Sequence, residues 1–390
     1  MQKLQDAKLF YVHAALFAFS EIIFILSLPI YFYTQGFSLS FIFFFHAIVG
    51  FVGYIFTPLV ISYIKRINIK FIFILGVLFY IAFGFSVFLI NIQNYWWILA
   101  LLFLSLQSVF YFPARHLFFV EIAHKKTVGL QTGVLNMVSL ISRIIAPIVA
   151  GWIALAFPFS SVFLVGSVVM FLCIGPIFFI QTKIEVDFTR KEFFEMQKNH
   201  PVFRATRFAY FADGMNNIIS YLLWPLFFFL FLANMDFFRV GSLMTITSLI
   251  SAVIMVFVGH LFDKKYRKIL LTASIFAQLV ASFFRFLLLF FHPIVFVYTT
   301  QSLYSFSESA LQSTFDSYLY SYGKVTDTAL FTIHREINFS LGRFILCLLL
   351  AIITSFITKT EQLWFLFLLS IPILFLYSQK MKVDRFIDRR

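Results

Sequence analysis

The sequence predicts an all-α integral membrane protein whose twelve transmembrane helices form two six-helix bundles related by a parallel repeat. The first observation is composition: of 390 residues, 61% are apolar and 12% are charged, and the mean hydropathy is +0.94. A soluble domain is about half apolar and a quarter charged. The other observations are long apolar runs and basic residues concentrated in every second gap. Together they exclude a water-soluble enzyme, a nucleic-acid binder and a disordered chain.

The spanning elements are helices, because the apolar runs are continuous and do not alternate as the strands of a membrane barrel do. A spanning helix needs about 20 mostly apolar residues, and each run supplies roughly that number. In chain order, the twelve runs cover residues 9–33, 38–63, 71–91, 96–120, 133–156, 161–181, 207–232, 237–262, 269–291, 293–320, 330–357 and 361–379.

Lysine and arginine predict the orientation of these helices. Of 30 basic residues, 23 lie at the termini or in gaps that follow an even-numbered run. The gaps on the other side carry only Arg239 and Lys359. Because cytoplasmic loops carry the basic excess, we expect both termini in the cytoplasm of a multi-pass plasma (inner) membrane protein. The net charge of +13 is then a topology signal and does not indicate a nucleic-acid partner.

The longest hydrophilic gap, 182–206, divides the chain near its middle. It contains Thr189-Arg190-Lys191-Glu192, a capping-box pattern, followed by large apolar residues up to Met196. The pattern predicts a short amphipathic helix on the inner membrane surface. The expected units are therefore an N-terminal six-helix bundle (1–181), this cytoplasmic linker and a C-terminal six-helix bundle (207–390).

The two halves repeat at a nearly constant offset. The Glu21-Ile22-Ile23 segment of run 1 matches Asn217-Ile218-Ile219 of run 7 at an offset of 196. Ser142-Arg143 of run 5 matches Gly342-Arg343 of run 11 at an offset of 200. Because six helices are an even number, both halves have the same orientation in the membrane.

The end of run 8 resembles a known family signature. Gly259-His260-Leu261-Phe262-Asp263-Lys264-Lys265-Tyr266-Arg267-Lys268 is similar to the G-x-L-x-D-[RK]-x-G-[RK]-[RK] loop of the major facilitator superfamily, with Tyr266 in place of the second glycine. The resemblance implies a gating loop that holds the cytoplasmic side together, formed by Gly259, Asp263, Lys264, Arg267 and Lys268. The first-half copy has Ile64 in place of the Asp, so the resemblance implies a one-sided latch.

Run 5 carries a second resemblance. Ser142-x-x-x-Ala146-Pro147-x-x-Ala150-Gly151 is similar to the antiporter motif G-x-x-x-G-P-x-x-G-G of the family, although only Pro147 and Gly151 match outright. In families that have this motif it accompanies export. Small residues also allow helices to pack closely, which is the alternative interpretation.

Polar residues recur at helical spacing inside the runs. A charge in mid-bilayer costs roughly 2.5–3.5 kcal/mol on insertion scales, so each marks a candidate site. The resemblance implies that helices 1, 4, 7 and 10 line a central cavity, and polar stripes lie on runs 4, 7 and 10. The candidate cavity residues are Ser108, Tyr111, Arg143, Asn216, Asn217, Ser220, Trp224, Ser305, Gln312 and Arg343.

Four acids inside the runs are the candidates for proton coupling: Glu21, Asp213, Glu308 and Glu336. We expect Glu21 to pair with Arg143, and Arg343 to take one of the three other acids. Three interpretations of these charges stay open. In the first, the ion pairs hold helices together, and in the second, a carboxyl exchanges a proton as substrate binds. In the third, Arg143 and Arg343 receive an anionic substrate. Three further charges lie close enough to an interface to snorkel: Arg115, Arg285 and Asp316.

These features predict a secondary active transporter that works by alternating access, as a proton-coupled antiporter exporting an amphipathic compound. The alternatives are a lipid or lysolipid transporter, proton-coupled uptake of an anionic nutrient, and, more remotely, a receptor or scaffold without transport. The sequence contains no P-loop, H-E-x-x-H or G-x-S-x-G, so we expect no enzyme and no cofactor. The expected partners are a small-molecule substrate, the lipid bilayer and a proton or other ion gradient, with the chain acting as a monomer.

Overall fold

The computed structural model describes residues 2–63, 68–123, 128–181, 190–232, 235–249, 267–288, 290–291, 293–325, 327–357 and 360–378. We number the spanning helices α1 to α12. They are α1 (Gln2–Thr34), α2 (Leu39–Tyr63), α3 (Ile69–Leu89), α4 (Trp97–Ile122), α5 (Val128–Ala156), α6 (Ser161–Phe179), α7 (Pro201–Phe231), α8 (Phe237–Leu249 in its described part), α9 (Arg267–Leu287), α10 (Ile294–Val325), α11 (Thr328–Phe356) and α12 (Gln362–Tyr377).

Within the described ranges, each of the twelve predicted runs contains a helix, in the predicted order. Nine of these described helices are long and apolar enough to cross a membrane, the described parts of α8 and α12 are shorter, and α10 is long but more polar. Three helices begin five or more residues before their apolar runs: α1 at Gln2, α5 at Val128 and α7 at Pro201. Proline has no N–H to satisfy at the first turn of a helix, so α7 starts directly after the extended His200.

A short linker helix (Arg190–Asn199) lies in the predicted linker. It is amphipathic, since Phe193 is buried while Phe194 is exposed. Lys191 and Glu195 form an i,i+4 pair on its exposed face, at 3.9 Å.

Two helix crossings show the repeat in atomic detail. In the first half, the hydroxyl of Ser142 donates to the carbonyl oxygen of Ala15 at 2.7 Å, where α5 crosses α1. In the second half, Gly342 packs against the carbonyl of Phe211, where α11 crosses α7. The two crossings are related by the same offsets, 196 and 200, that the sequence motifs have.

The α7–α11 crossing has no room for a side chain at Gly214. A Cβ there would overlap the carbonyl oxygen of Phe339, which is a backbone atom and cannot rotate away. We therefore expect Gly214→Ala to lower the free energy of unfolding by about 1–3 kcal/mol through overpacking. The measurement is thermal unfolding in detergent. The matched control is Gly133→Ala in α5, where a Cβ meets nothing within 4 Å. Equal unfolding temperatures for Gly214→Ala and Gly133→Ala would contradict the close packing at Gly214.

The two halves also meet through close crossings on the side away from the chain termini. We call the side on which α1 begins the terminal face, and the other side the opposite face. Near the opposite face, Ser40 of α2 donates to the carbonyl of Ala351 in α11 at 2.8 Å. Gly241 of α8 packs on the carbonyl of Pro147 in α5, and a Cβ at Gly151 would lie 3.1 Å from Cα of Phe238. The small residues of the antiporter-like motif thus give close packing between the halves.

Candidate functional site

A cavity of about 180 Å³ lies between the two halves, in the middle of the helix bundle. One water needs roughly 10–15 Å³ on this measure, so the cavity has room for a larger molecule. Aromatic walls are formed by Phe24, Tyr80, Phe83, Phe112 and Phe339. Set into them are four acids and four arginines: Glu21, Asp213, Glu308, Asp316, Arg115, Arg143, Arg335 and Arg343. The cavity is therefore amphipathic, with balanced formal charge.

Eight of the candidate residues line this cavity, from both halves: Glu21, Ser108, Arg143, Asp213, Asn217, Glu308, Gln312 and Arg343. Ser220 and Ser305 line a second cavity of about 110 Å³, which we call the side pocket. The two cavities adjoin, since Ile25, Arg143, Tyr221 and Glu308 contribute to both.

Four candidates lie behind the cavity walls. Tyr111 is fully buried, stacks on Phe17 at 3.8 Å between ring centroids and contacts His13 through its hydroxyl at 3.0 Å. Trp224 is also fully buried. Asn216 and Glu336 reach the site only through other side chains, Glu308 and Arg335 respectively. Helical spacing placed all four on polar faces, but their neighbours fill the space in front of them.

Glu308 is held by neutral amide donors. Asn216 of α7 and Gln278 of α9 both donate to its Oε2, at 2.9 and 2.5 Å. The amide of Gln278 also contacts the hydroxyl of Tyr304 at 3.2 Å. In the described part of the chain, no basic nitrogen lies within the 4 Å of an ion pair with this carboxyl. Protonation of Glu308 would therefore break no ion pair.

Glu21 and Arg143 line the same cavity but do not form the predicted ion pair. Arg143 instead donates to the hydroxyl of Tyr221 at 2.6 Å, across the interface between the halves. The Ser142–Ala15 crossing explains the difference. α1 and α5 run in the same direction, so Arg143 leaves α5 near the level of Leu16, and Glu21 lies five residues, about 7.5 Å, beyond that level.

Arg335, and not Arg343, forms ion pairs with Asp213 and Glu336. Its guanidinium lies 2.6 Å from Oε1 of Glu336 and 3.5 Å from Oδ2 of Asp213. His116 of α4 lies 3.3 Å from the same oxygen of Glu336, so the cluster joins the two halves. All four side chains are buried. The predicted pairing of Arg343 is wrong in this structure: no carboxylate of the described residues lies within 4 Å of it.

Arg285 and Gln278 of α9 were missed as site residues. Arg285 was predicted to snorkel to an interface, but it is 1% exposed and lines the side pocket. Arg115 and Asp316, predicted likewise, line the central cavity. The sequence does contain a signal for Arg285 and Gln278. Four polar residues recur on α9 at helical spacing, and all four are buried: Ser274, Gln278, Ser282 and Arg285.

The predicted gating loop lies largely outside the described residues. Gly259, Asp263 and Lys264 fall in the range 250–266, of which the structure gives no description. Arg267 and Lys268 form the first turn of α9, and only their backbone is described.

The helix arrangement is shared with solved transporter structures. A POT family transporter in complex with a thioalcohol-conjugated peptide superimposes with a TM-score of 0.73 at 13% identity, covering 98% of this chain and 96% of that one. A bacterial homologue of the iron transporter ferroportin gives 0.72 at 12% identity, covering 97% and 99%. The fucose:proton symporter of E. coli gives 0.66 at 14% identity, covering 97% and 99%. At such identities the likeness shows the fold alone.

Sequence comparison identifies the family. No curated protein matches the sequence significantly. The family model of the Major Facilitator Superfamily, however, matches residues 14–331, well over half of the chain. Together with the twelve helices in two repeated halves, this match establishes that the chain belongs to the major facilitator superfamily of transporters.

Proposed function

We propose that this chain is a secondary active transporter that exports a small amphipathic compound, driven by protons, as its two halves open the central cavity to either side in turn. The observation that carries the proposal is the cavity itself, which sets charged groups into aromatic walls between the halves. Such a lining fits a compound with one apolar part and one polar part. The terminal face, which bears the basic excess in the sequence, is cytoplasmic in this proposal.

The contacts of the four candidate acids favour Glu21 and Glu308 as the proton carriers. Asp213 and Glu336 share Arg335, so each would lose an ion pair on protonation. Glu308 accepts from the neutral amides of Asn216 and Gln278, and neither Glu308 nor Glu21 has a basic nitrogen within 4 Å among the described residues. A carboxyl without a fixed counter-ion can change charge during the cycle while the helix packing stays intact.

A second candidate function is proton-coupled uptake of an organic anion. It is favoured by Arg343, which faces the central cavity while no described carboxylate lies within 4 Å of it. The resemblance of α5 to the antiporter motif supports export instead. The direction of the proton-driven flux decides between the two.

The coupling acids are tested by Glu21→Gln and Glu308→Gln in proteoliposomes. A thermal-shift screen of purified protein, covering organic anions, organic cations, lysolipids and nucleosides, first supplies a transported probe. At least one variant is expected to lose accumulation driven by a pH gradient but to keep counterflow exchange of the same probe, because exchange needs no net proton movement.

Glu195→Gln, on the exposed face of the linker helix, is the control for loss of a carboxylate and should behave as wild type. Full pH-driven accumulation in both cavity variants would refute the assignment of the proton to these acids.

A further inference from the structure

The side pocket contains a buried arginine that forms no ion pair with any carboxylate of the described residues. Arg285 projects from α9 into the space bounded by α1, α5, α7, α8 and α10, and its side chain is 1% exposed. Its Nη2 donates to the amide oxygen of Gln301 at 2.7 Å, which is a neutral acceptor. Its Nε and Nη1 are buried and have no hydrogen-bond acceptor among the residues that the structure describes. Within the described ranges, no carboxylate lies within 4 Å of the guanidinium.

Aromatic rings hold this guanidinium in place. Its Cζ lies 3.2 Å from the ring centroid of Tyr304 and 4.1 Å from that of Trp224. The hydroxyl of Tyr304 forms a hydrogen bond with the hydroxyl of Ser220 at 2.8 Å, and this bond fixes the orientation of the Tyr304 ring. Ring faces stabilise a buried cation only in part, and they leave the N–H groups of Nε and Nη1 without an acceptor among the described residues.

The unpaired edge of Arg285 has the geometry that recognises an anion. A guanidinium presents parallel N–H groups that match the two oxygens of a carboxylate or a sulfonate. Burying such donors unmet is unfavourable, and a bound anion would supply both the acceptors and the counter-charge. The second arginine of the pocket, Arg143, already donates to Tyr221. The acid of the pocket, Glu308, is held by amide donors from Asn216 and Gln278.

We propose that the side pocket is an anion subsite, in which Arg285 binds a carboxylate or sulfonate group of the transported compound. The apolar part of that compound lies against a wall formed by Ile22, Ile25, Leu26, Leu140 and Met244. The subsite rests on the proposed function and deepens it, because it makes the substrate an amphipathic organic anion. It opens into the central cavity at Glu308, the proposed proton carrier.

The test uses benzenesulfonate, with benzenesulfonamide as its uncharged analogue, on the purified full-length chain without any gradient. Binding is followed by thermal shift and by tryptophan fluorescence, since Trp224 packs directly on Arg285. We expect benzenesulfonate, and not the sulfonamide, to stabilise the wild type. Arg285→Gln should weaken this binding roughly ten- to hundredfold, the usual worth of a hydrogen bond to a charged group. Trp224→Phe should remove the fluorescence change, which assigns that signal to the indole beside Arg285.

Two further variants locate the anion. Arg285→Lys keeps the charge without the planar fork and should bind with intermediate affinity, which also covers the case in which Arg285→Gln fails to fold. Arg343→Gln, in the central cavity, should weaken binding less than Arg285→Gln does. A loss in Arg343→Gln as large as in Arg285→Gln, equal binding to wild type and Arg285→Gln, or no preference for the sulfonate would each overturn the subsite. Because no transport is measured, such a failure leaves the transporter proposal standing, whereas anion binding without any transport would contradict that proposal alone.

Discussion

Replacing Arg335 by methionine is expected to lower the free energy of unfolding by about 3–5 kcal/mol, the usual cost of removing one partner from a buried ion pair. Arg335 is the only basic group within 4 Å of either Asp213 or Glu336 in the described part of the chain, apart from His116 beside Glu336. Both carboxylates are less than 5% exposed, so neither can recover its hydration. Unfolding of the purified protein by heat or denaturant measures the loss.

Two comparisons separate the lost charge from the lost packing. Arg343→Met removes the same side chain two turns further along α11, where no described acid lies within 4 Å, and should cost less. A triple variant, Arg335→Met with Asp213→Asn and Glu336→Gln, leaves no charge on these three side chains and should regain most of the stability. If Arg335→Met and Arg343→Met unfold alike, or if the triple variant regains nothing, the cluster does not act as an ion-pair centre.

The helices and their repeat were predictable because they depend on local composition and on spacing along the chain. Runs of about 20 apolar residues gave all twelve helices. The offset between Ser142-Arg143 and Gly342-Arg343 reappears as the two equivalent crossings at Ser142 and Gly342. The start of α7 was misplaced because Arg204 and Arg207 interrupt its apolar run, although Pro201 marks the true beginning.

The residues that share the cavity were largely predictable, but their partners were not. Helical spacing put Glu308, Gln312 and Asp316 on one face of α10, and all three line the cavity. Spacing within a helix carries no information about the axial register between helices. Glu21 was therefore matched with Arg143 although it lies about 7.5 Å further along the bundle axis. For the same reason, an acid of the second half was predicted to pair with Arg343, whereas Asp213 and Glu336 pair with Arg335.

Arg285 shows why depth along a helix is a poor guide to burial. Near the end of a spanning helix, an arginine can reach water by snorkelling. Here the neighbouring helices offer Tyr304 and Trp224 as stacking surfaces, and the side chain turns inward to them. The polar stripe from Ser274 to Arg285 marked the inner face of α9, and it was the better signal.

A cysteine placed in the central cavity should be reachable from both sides of the membrane in turn. Asn217→Cys is suited to this, because Asn217 lines the cavity without being fully buried. The two native cysteines, Cys173 and Cys347, are buried, and replacing them by alanine removes any background. A membrane-impermeant methanethiosulfonate reagent, applied to right-side-out and to inverted vesicles, measures the exposure of the new thiol.

This labelling tests the central claim most directly, namely that one cavity between the halves faces the two sides alternately. Two exposed positions define the sides: Gln93→Cys in the turn between α3 and α4, and Lys198→Cys on the linker helix. Each is expected to react in one vesicle orientation only, and the two in opposite orientations. Asn217→Cys is predicted to react in both. Reaction of Asn217→Cys in a single orientation, unchanged by pH gradient or bound ligand, would contradict alternating access.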